Sequence, residues 1–156
     1  MAEHANHIYE HCLTSEGINP PLPSPFYMKS QPEILEFQRG ILIDWLVEVH
    51  TNFKLVPETL YLTVNLIDRY LEKTNVLRNK LQLVGVTAMF VASKYEDIYP
   101  PVVQDFVHIA DYTYPANEIL EMERHILMTL DFDLHFTSSY RFLERFFYLK
   151  NSSETE

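Results

Sequence analysis

The sequence of 156 residues is poor in the residues that several kinds of functional site require. It has a single cysteine, Cys12, and 3 glycines. One thiol cannot form an internal disulfide, and a zinc site of thiolates would need partners that the sequence lacks. So few glycines disfavour the glycine-rich loops that bind phosphates. Disulfide scaffolds, thiolate zinc sites and phosphate-binding loops are therefore poor candidates from the start.

Positive charge and long apolar runs are also scarce. The chain has 12 lysines and arginines against 22 aspartates and glutamates, a net charge of −10. Such a surface repels phosphate, so we expect neither nucleic acid nor a membrane as a partner. No apolar run approaches the roughly 18 residues that a membrane-spanning helix needs. The sequence predicts a soluble protein of a reducing compartment.

Motifs for catalysis and for metal binding are missing as well. The sequence contains no His-Glu-x-x-His, no Glu-x-x-His and no Gly-x-Ser-x-Gly. The best metal candidate is the group of His7, His11 and Cys12, which share one face of a short helix. Three ligands on an N-terminal arm are a weak signal for a metal site. We therefore predict no catalytic residue, no metal and no cofactor.

Helical patterning dominates what is present. Apolar residues make up 47% of the chain, and they recur at spacings of three and four. Ser30 and Glu33 form a capping-box pattern, with Pro32 where a first-turn proline is tolerated. All nine prolines lie before, between or at the starts of the helical segments. Five helices are predicted for the main body, over residues 30–53, 57–71, 79–93, 102–110 and 116–130.

The third of these segments is the centre of the predicted fold. Residues 79–93 are apolar nearly all round, which is typical of a helix buried on every side. The fold class is therefore all-α, a five-helix bundle around a central buried helix. An N-terminal helix is predicted over residues 3–13, and the proline-rich residues 18–30 are expected to be extended and non-helical. One more apolar helix, over residues 140–150, contains Phe142, Phe146 and Phe147.

Lys94 and Glu123 are charged residues in apolar surroundings. Lys94 follows Phe90 and Val91 by four and three residues on the most apolar helix. It either extends outward near the helix C-terminus, favoured by the helix dipole, or pairs with a carboxylate. Glu123 on the fifth helix poses the same question. A pair of Lys94 with Glu123 would satisfy both charges.

Trp45 lies on a helical stripe with Ile41 and Leu42 that ends in the acid Glu48. Such a stripe is usually part of the core, where the single tryptophan of a chain is usually buried. The alternative is a shallow apolar groove, bordered by Glu48. Such a groove would bind a short peptide with an apolar side chain and a basic residue.

Several longer strings resemble the cyclin box of mitotic A/B-type cyclins. Residues 38–49 (QRGILIDWLVEV) resemble its opening, MRAILVDWLVEV. Further matches are residues 58–60 (ETL), 68–71 (DRYL), 80–85 (KLQLVG), 92–101 (ASKYEDIYPP), 122–123 (ME) and 130–134 (LDFDL). The similarity covers residues 27–149.

This resemblance implies a regulatory subunit, and not an enzyme, that binds and activates a cyclin-dependent Ser/Thr protein kinase in cell-cycle control. In the family the box binds the kinase's C-helix and moves it inward, which completes a lysine–glutamate ion pair at ATP. The resemblance also implies a location in nucleus and cytoplasm. The residues that match the family's kinase-binding site are Lys94, Glu123, Tyr95, Leu127, Phe132 and Leu134.

A second set of residues matches the family's docking patch for Arg-x-Leu peptides of substrates or inhibitors. The set is Ile41, Leu42, Trp45, Glu48, Leu81 and Gln82. Two neighbours depart from the family pattern, since Gln38 stands where methionine is usual and Gly40 where alanine is usual. We therefore expect the docking patch to prefer somewhat different peptides from those that the family usually binds. A cyclin-fold scaffold that binds peptides and activates no kinase is the alternative function.

The length predicts an incomplete second unit. Family members usually carry two five-helix units, whereas this chain has room for one and the first helix of another. We assign residues 1–26 to an N-terminal helix and proline-rich arm, 27–136 to the cyclin box and 137–156 to the start of a second unit. The last helix either folds back on the bundle or belongs to the front part of a longer protein. We expect a truncated or split product.

Overall fold

Helices provide all the regular secondary structure in the residues that the structure, a computed structural model, describes, namely 5–18 and 23–153. The fold class predicted from the sequence is thus confirmed. The helices are α1 (Ala5–Ile18), α2 (Glu36–Phe53), α3 (Pro57–Lys73), α4 (Leu81–Glu96), α5 (Val103–Ile109), α6 (Ala116–Thr129) and α7 (Ser139–Ser153). None of the helices in this part of the chain is both long and apolar enough to span a membrane.

Helix α4 is the central element of residues 23–134. Leu81 and every residue from Leu83 to Ser93 are buried, as the all-round apolar pattern predicts. Helices α2, α3, α5 and α6 all pack against it. Because α4 is enclosed along most of its length, its two ends are where its side chains reach the surface.

The start of α2 differs from the prediction. The helix begins at Glu36 and not at Ser30, which instead ends a single 3-10 turn (Tyr27–Ser30). The Ser30 hydroxyl donates to the Tyr27 carbonyl at 2.6 Å, so it does not cap a helix that follows. The capping box predicted for Ser30 and Glu33 is therefore wrong.

The side chain of Gln31 gives the physical reason. Its amide donates to the carbonyls of Leu71 and Thr74 at 2.5 and 2.7 Å and accepts from the Val76 amide at 3.1 Å. Ile34, three residues after Gln31, is also buried. Residues 31–35 thus run non-helically, because that conformation places one polar and one apolar side chain in the core.

The other boundaries are close to the predicted ones. Pro57 stands at the first position of α3, where its missing amide hydrogen costs nothing. Within the proline-rich segment, the 3-10 turn at Tyr27–Ser30 contradicts a fully extended chain, and Pro20 and Pro21 lie outside the described residues. The predicted N-terminal helix is present as α1, but it ends at Ile18 and not at residue 13, five residues later than predicted. Its predicted start at residue 3 lies outside the described residues.

The remaining described residues, 5–18 and 135–153, form a separate compact unit. Within it, the rings of Tyr9 on α1 and Phe142 on α7 meet edge to face, with centroids 5.9 Å apart. The Arg145 guanidinium lies 5.8 Å from the centroid of the same Tyr9 ring. Phe146 and Phe147 are exposed. The division of the chain at residues 26 and 136 stays a prediction.

Candidate functional site

Lys94 and Glu123 form an ion pair between α4 and α6. Lys94 lies in the last turn of α4, and its ammonium stands 4.0 Å from the centroid of the Phe90 ring one turn earlier. The lysine side chain is 41% exposed and the glutamate side chain 13%. The pairing considered from the sequence is therefore made, and it is made at the surface. We call Lys94, Glu123 and Phe90 the charged patch.

Exposed apolar side chains follow each partner of this pair in the sequence. Tyr95, directly after Lys94, is exposed, and Leu127, one turn after Glu123 on α6, is half-buried. Phe132 is 66% exposed, and Leu134 is half-buried. All four are predicted from the sequence as kinase-binding residues, and none of them is fully buried. A charged pair with apolar surface beside it is suited to binding another protein.

Phe132 is held outward by an unusual backbone. Asp131 and Phe132 both have left-handed conformations, with φ of 54° and 56°. Two hydrogen bonds fix this turn, from the Asp131 amide to the Met128 carbonyl at 3.2 Å and from the Phe132 amide to the Leu127 carbonyl at 2.8 Å. Left-handed conformations are uncommon for such residues and cost free energy. The chain ends α6 in this way and presents an aromatic ring to solvent.

Three residues of this region escaped the sequence analysis. Phe90 supports the Lys94 ammonium; its spacing of four residues was noted in the sequence, but only as a sign of apolar surroundings. Ile98 and Tyr99, in the loop after α4, are exposed, Tyr99 to 92%. The double proline that follows them gave a loop signal, but nothing in it distinguishes exposed from buried apolar residues.

A groove with a volume of about 310 Å³ lies at the other end of α4. Its lining is formed by Phe37, Gln38, Ile41, Leu42, Trp45, Arg78, Leu81 and Gln82. Five of the six predicted docking residues are among them. The sixth, Glu48, is exposed one turn beyond Trp45 on α2 and is not part of the lining. Trp45 itself is half-buried, so the tryptophan stripe is partly core and partly groove.

Phe37 and Arg78 are lining residues that the sequence analysis missed. Phe37 is exposed although it belongs to the apolar stripe of α2. Arg78 begins the 3-10 turn Arg78–Lys80 that leads into α4. Its position three residues before Leu81 was the only signal available. With Arg78, the groove has a cation near one end and, through Glu48, an anion beyond the other.

Leu42 forms a buried part of this groove and touches the backbone of α4. A Cβ atom built on Gly85 would stand 2.7 Å from Cδ1 of Leu42, which is closer than real contacts allow. Gly85 is therefore needed for the close approach of α2 and α4. Gly40 is different, because a Cβ there would meet nothing within 4 Å. The glycine at position 40 serves no packing purpose.

The helix that carries the groove is anchored next to it. Arg39 donates two hydrogen bonds to the Asp68 carboxylate, at 2.6 and 2.7 Å, and the Tyr27 hydroxyl donates to the same carboxylate at 2.5 Å. Burial, followed by the hydrogen bond to Asp68, raises the pKa of Tyr27 well above its ordinary value. The hydrogen bond to Asp68 likewise raises the pKa of Arg39. This network ties α2 to α3.

A second lysine–glutamate ion pair joins α6 to the 3-10 turn before α4. Lys80, just before α4, pairs with Glu118 in the first turn of α6. The two residues border a wider hollow of about 740 Å³ beside Tyr70 and His125. The Lys80 side chain is as exposed as that of Lys94, and the Glu118 side chain is more exposed than that of Glu123. No functional role was predicted for this pair, which makes it a natural control for Lys94 and Glu123.

The weak metal candidate is not assembled. Within residues 5–18 and 23–153, no three His, Cys, Asp or Glu side chains are grouped so as to hold a metal ion, and this includes His7, His11 and Cys12.

Residues 7–135 of the chain match the family described as "Cyclin, N-terminal domain". The chain is 52% identical over 146 residues to "Cyclin-B2-2" of Oryza sativa subsp. indica, an alignment that covers 94% of this chain and 34% of that protein. It is 47% identical over 152 residues to "G2/mitotic-specific cyclin-A" of Hydra viridissima, with coverage of 97% and 36%. The chain thus spans about a third of the length of these relatives.

A solved structure shares the fold. The X-ray structure of a viral cyclin from herpesvirus saimiri superimposes with a TM-score of 0.72 over 86% of this chain and 56% of the other, at 23% sequence identity. At that identity the likeness concerns the arrangement of the helices alone.

Proposed function

Because the chain belongs to the cyclin family and is of the mitotic A/B type, we propose that it is a regulatory subunit that binds and activates a cyclin-dependent Ser/Thr protein kinase. The kinase would be bound through the charged patch and the neighbouring Tyr95, Leu127, Phe132 and Leu134. Binding would act on the kinase helix whose glutamate completes the ion pair at the ATP phosphates. The location in nucleus and cytoplasm stays a prediction.

The single observation that carries this proposal is the ion pair of Lys94 and Glu123 at the surface end of a buried helix. A partly exposed ion pair contributes little to the stability of a fold. At an interface, however, such a pair is desolvated and then fixes the register of the partner, while apolar neighbours supply most of the affinity. Lys94 is already positioned for that role, since Phe90 and Glu123 hold it from two sides.

We further propose that the groove binds Arg-x-Leu peptides of substrates or inhibitors. The apolar residue would enter between Leu42, Trp45 and Leu81. On α2 the axial distance from the midpoint of Leu42 and Trp45 to Glu48 is about 7 Å at 1.5 Å per residue. Two residues of an extended peptide span nearly the same distance, about 6.6 Å. A basic residue two positions before the leucine would thus reach the Glu48 carboxylate.

The test of the kinase proposal is a binding and activity assay with a purified cyclin-dependent kinase. Wild-type chain should be retained by the kinase and raise its phosphorylation of a Ser/Thr substrate. Lys94→Ala and Glu123→Ala should each weaken retention by about a hundredfold, because each leaves the other charge unpaired at the interface. Lys80→Ala and Glu118→Ala are matched controls that break the ion pair between α6 and the 3-10 turn before α4. Equal retention of all four variants would refute the proposed site.

A peptide-binding scaffold without kinase activation is the second candidate. The groove favours it, because this surface is formed by α2, the 3-10 turn before α4 and the start of α4, and needs nothing from the charged patch. The scaffold would be the better description if the chain retained Arg-x-Leu peptides and left the activity of the kinase unchanged.

A further inference from the structure

Gln38 changes the chemistry of one end of the groove. Its side-chain oxygen accepts a hydrogen bond from the backbone amide of Leu35 at 2.9 Å, which caps the start of α2. Since an amide N–H must meet an acceptor, the orientation of the Gln38 side chain is fixed with the oxygen toward Leu35. What this side chain still offers to the groove is its NH2 group, a donor of two hydrogen bonds.

Arg78 lines the same groove and carries the same kind of group. A guanidinium has five N–H donors, no acceptor and a permanent positive charge. Gln38 and Arg78 come from separate elements, the first turn of α2 and the 3-10 turn before α4, and both line the groove. The chemistry at this end is therefore that of donors with a positive charge, which complements a carboxylate.

The distance along α2 sets where such a carboxylate would be placed on a bound peptide. The axial rise from the midpoint of Leu42 and Trp45 back to Gln38 is about 8 Å. An extended peptide covers this distance in about two to three residues. Glu48 lies in the opposite direction along the helix, so a peptide whose basic residue meets Glu48 directs its C-terminal side toward Gln38.

We propose that the segment bound in the groove carries an aspartate or glutamate two or three residues after the leucine of its Arg-x-Leu sequence, and that Gln38 and Arg78 bind this carboxylate. The inference rests on the proposed peptide-binding function of the groove. It assigns the partner a definite charge pattern, basic at the Glu48 end, apolar at Trp45 and acidic at the Gln38 end. Phe37 would cover the peptide backbone between the apolar residue and the acidic residue.

Glu33 limits the size of the effect. Its carboxylate accepts from the Arg78 backbone amide at 3.3 Å, so a negative charge already stands near this end of the groove. Charge-assisted hydrogen bonds at exposed sites contribute only modestly to binding affinity. We expect the acidic residue to tighten peptide binding about three- to tenfold at low salt, and by less at high salt.

The test uses fluorescence anisotropy with the 156-residue chain and four labelled peptides. They share an Arg-x-Leu core and differ at the third residue after the leucine, which is glutamate, glutamine, alanine or lysine. The glutamate peptide should bind the wild-type chain tightest and the lysine peptide weakest. The order should flatten as the salt concentration is raised.

Gln38→Glu is the decisive variant, because its carboxylate can still accept from the Leu35 amide and cap α2. It replaces the NH2 group by negative charge, so the advantage of the glutamate peptide should disappear or reverse. Arg78→Gln should reduce the advantage, and Arg124→Gln on α6, outside the groove lining, should leave it unchanged. Circular dichroism confirms that the variants keep their helices.

The outcomes separate this inference from the proposed function on which it rests. Equal affinity of the wild-type chain for the glutamate and glutamine peptides would overturn the inference while peptide docking stood. A glutamate advantage that Gln38→Glu leaves intact would overturn the assignment to Gln38. If no peptide bound and Trp45→Ala changed nothing, the docking function itself would be refuted, and the inference with it.

Discussion

The charged patch and the groove both depend on helix α4, but they use its opposite ends. The patch belongs to the last turns, where Lys94 leaves the core and meets Glu123 of α6. The groove belongs to the first turn, where Leu81 and Gln82 meet α2. From Leu81 to Lys94 the helix rises by about 20 Å. One surface is organised by charge and the other by apolar packing.

This comparison indicates that the two surfaces act independently. Helix α4, which is buried along most of its length, separates them, and no side chain is common to both. Sites more than about 10 Å apart without shared partners usually contribute additively. If both proposals hold, one chain would bind two partners at once, and each site could change without loss of the other.

The largest expected effect is on kinase affinity, and it tests independence directly. Lys94→Ala should weaken kinase binding about a hundredfold, Trp45→Ala should leave it unchanged, and the double variant should behave like Lys94→Ala alone. Isothermal titration with the kinase measures all three. A double variant that deviates from Lys94→Ala by more than about 0.5 kcal/mol would mean that the two ends of α4 are coupled.

Phe132→Ala should weaken kinase binding by about tenfold, because an exposed aromatic ring at an interface contributes affinity when it becomes buried. The ring is 66% exposed, so urea unfolding should give nearly the same free energy for the variant and the wild type. Leu134→Ala is the comparison for the free energy of unfolding, since the Leu134 side chain is half-buried whereas the Phe132 ring is exposed. A loss of stability as large as the loss of affinity would assign Phe132 to the fold and not to the interface.

Gly85→Ala should affect the groove end selectively. The new methyl group would stand 2.7 Å from Cδ1 of Leu42, and overpacking of this kind costs about 1–3 kcal/mol of stability. Displaced Leu42 should also weaken peptide binding several-fold while kinase binding persists. Gly40→Ala is the matched control, because it meets open space and should stabilise α2 by about 0.5–1 kcal/mol. Thermal unfolding of both variants measures the difference in sign.

The smallest effect concerns the anchor beside the groove, and it declines at alkaline pH. The pKa of Tyr27 is raised in the folded chain, so its stabilising contribution is complete below the ordinary value of 10.0 and declines as the pH rises above it. Tyr27→Phe should cost about 1 kcal/mol at pH 8 through the lost hydrogen bond, and less at pH 11. Urea unfolding at the two pH values measures this, with Tyr95→Phe as control. A cost for Tyr27→Phe that is independent of pH would contradict the assignment.

Most of the fold could be predicted from the sequence because its signals are local. The apolar run of residues 79–93 identified the buried helix, and Pro57 marked the start of α3. The start of α2 could not be predicted, since it depends on Gln31 reaching carbonyls 40 and 43 residues away. A capping pattern such as that of Ser30 and Glu33 gives no information about such distant acceptors.

The candidate site divides in a similar way. The apolar surroundings of Lys94 and Glu123 identified both residues and suggested their pairing, and the family resemblance supplied the kinase-binding role. Arg78 and Phe37 were missed because a groove is defined by which surfaces come together. Phe37 fits the apolar stripe of its helix, and Arg78 lies in the connection before α4. The left-handed pair Asp131–Phe132 could not be predicted, because aspartate tolerates this conformation but occurs in many others, and phenylalanine disfavours it.

The two lysine–glutamate pairs that join α6 to α4 and to the 3-10 turn before α4 have a consequence for the cost of association. Lys80 with Glu118 and Lys94 with Glu123 restrain the two helices at separate points, and Phe90 further confines the Lys94 ammonium. Side chains that are already confined lose little rotational freedom when a partner arrives. If the charged patch binds a kinase as proposed, its side chains are already ordered before the partner arrives, so more of the interaction energy would remain as affinity.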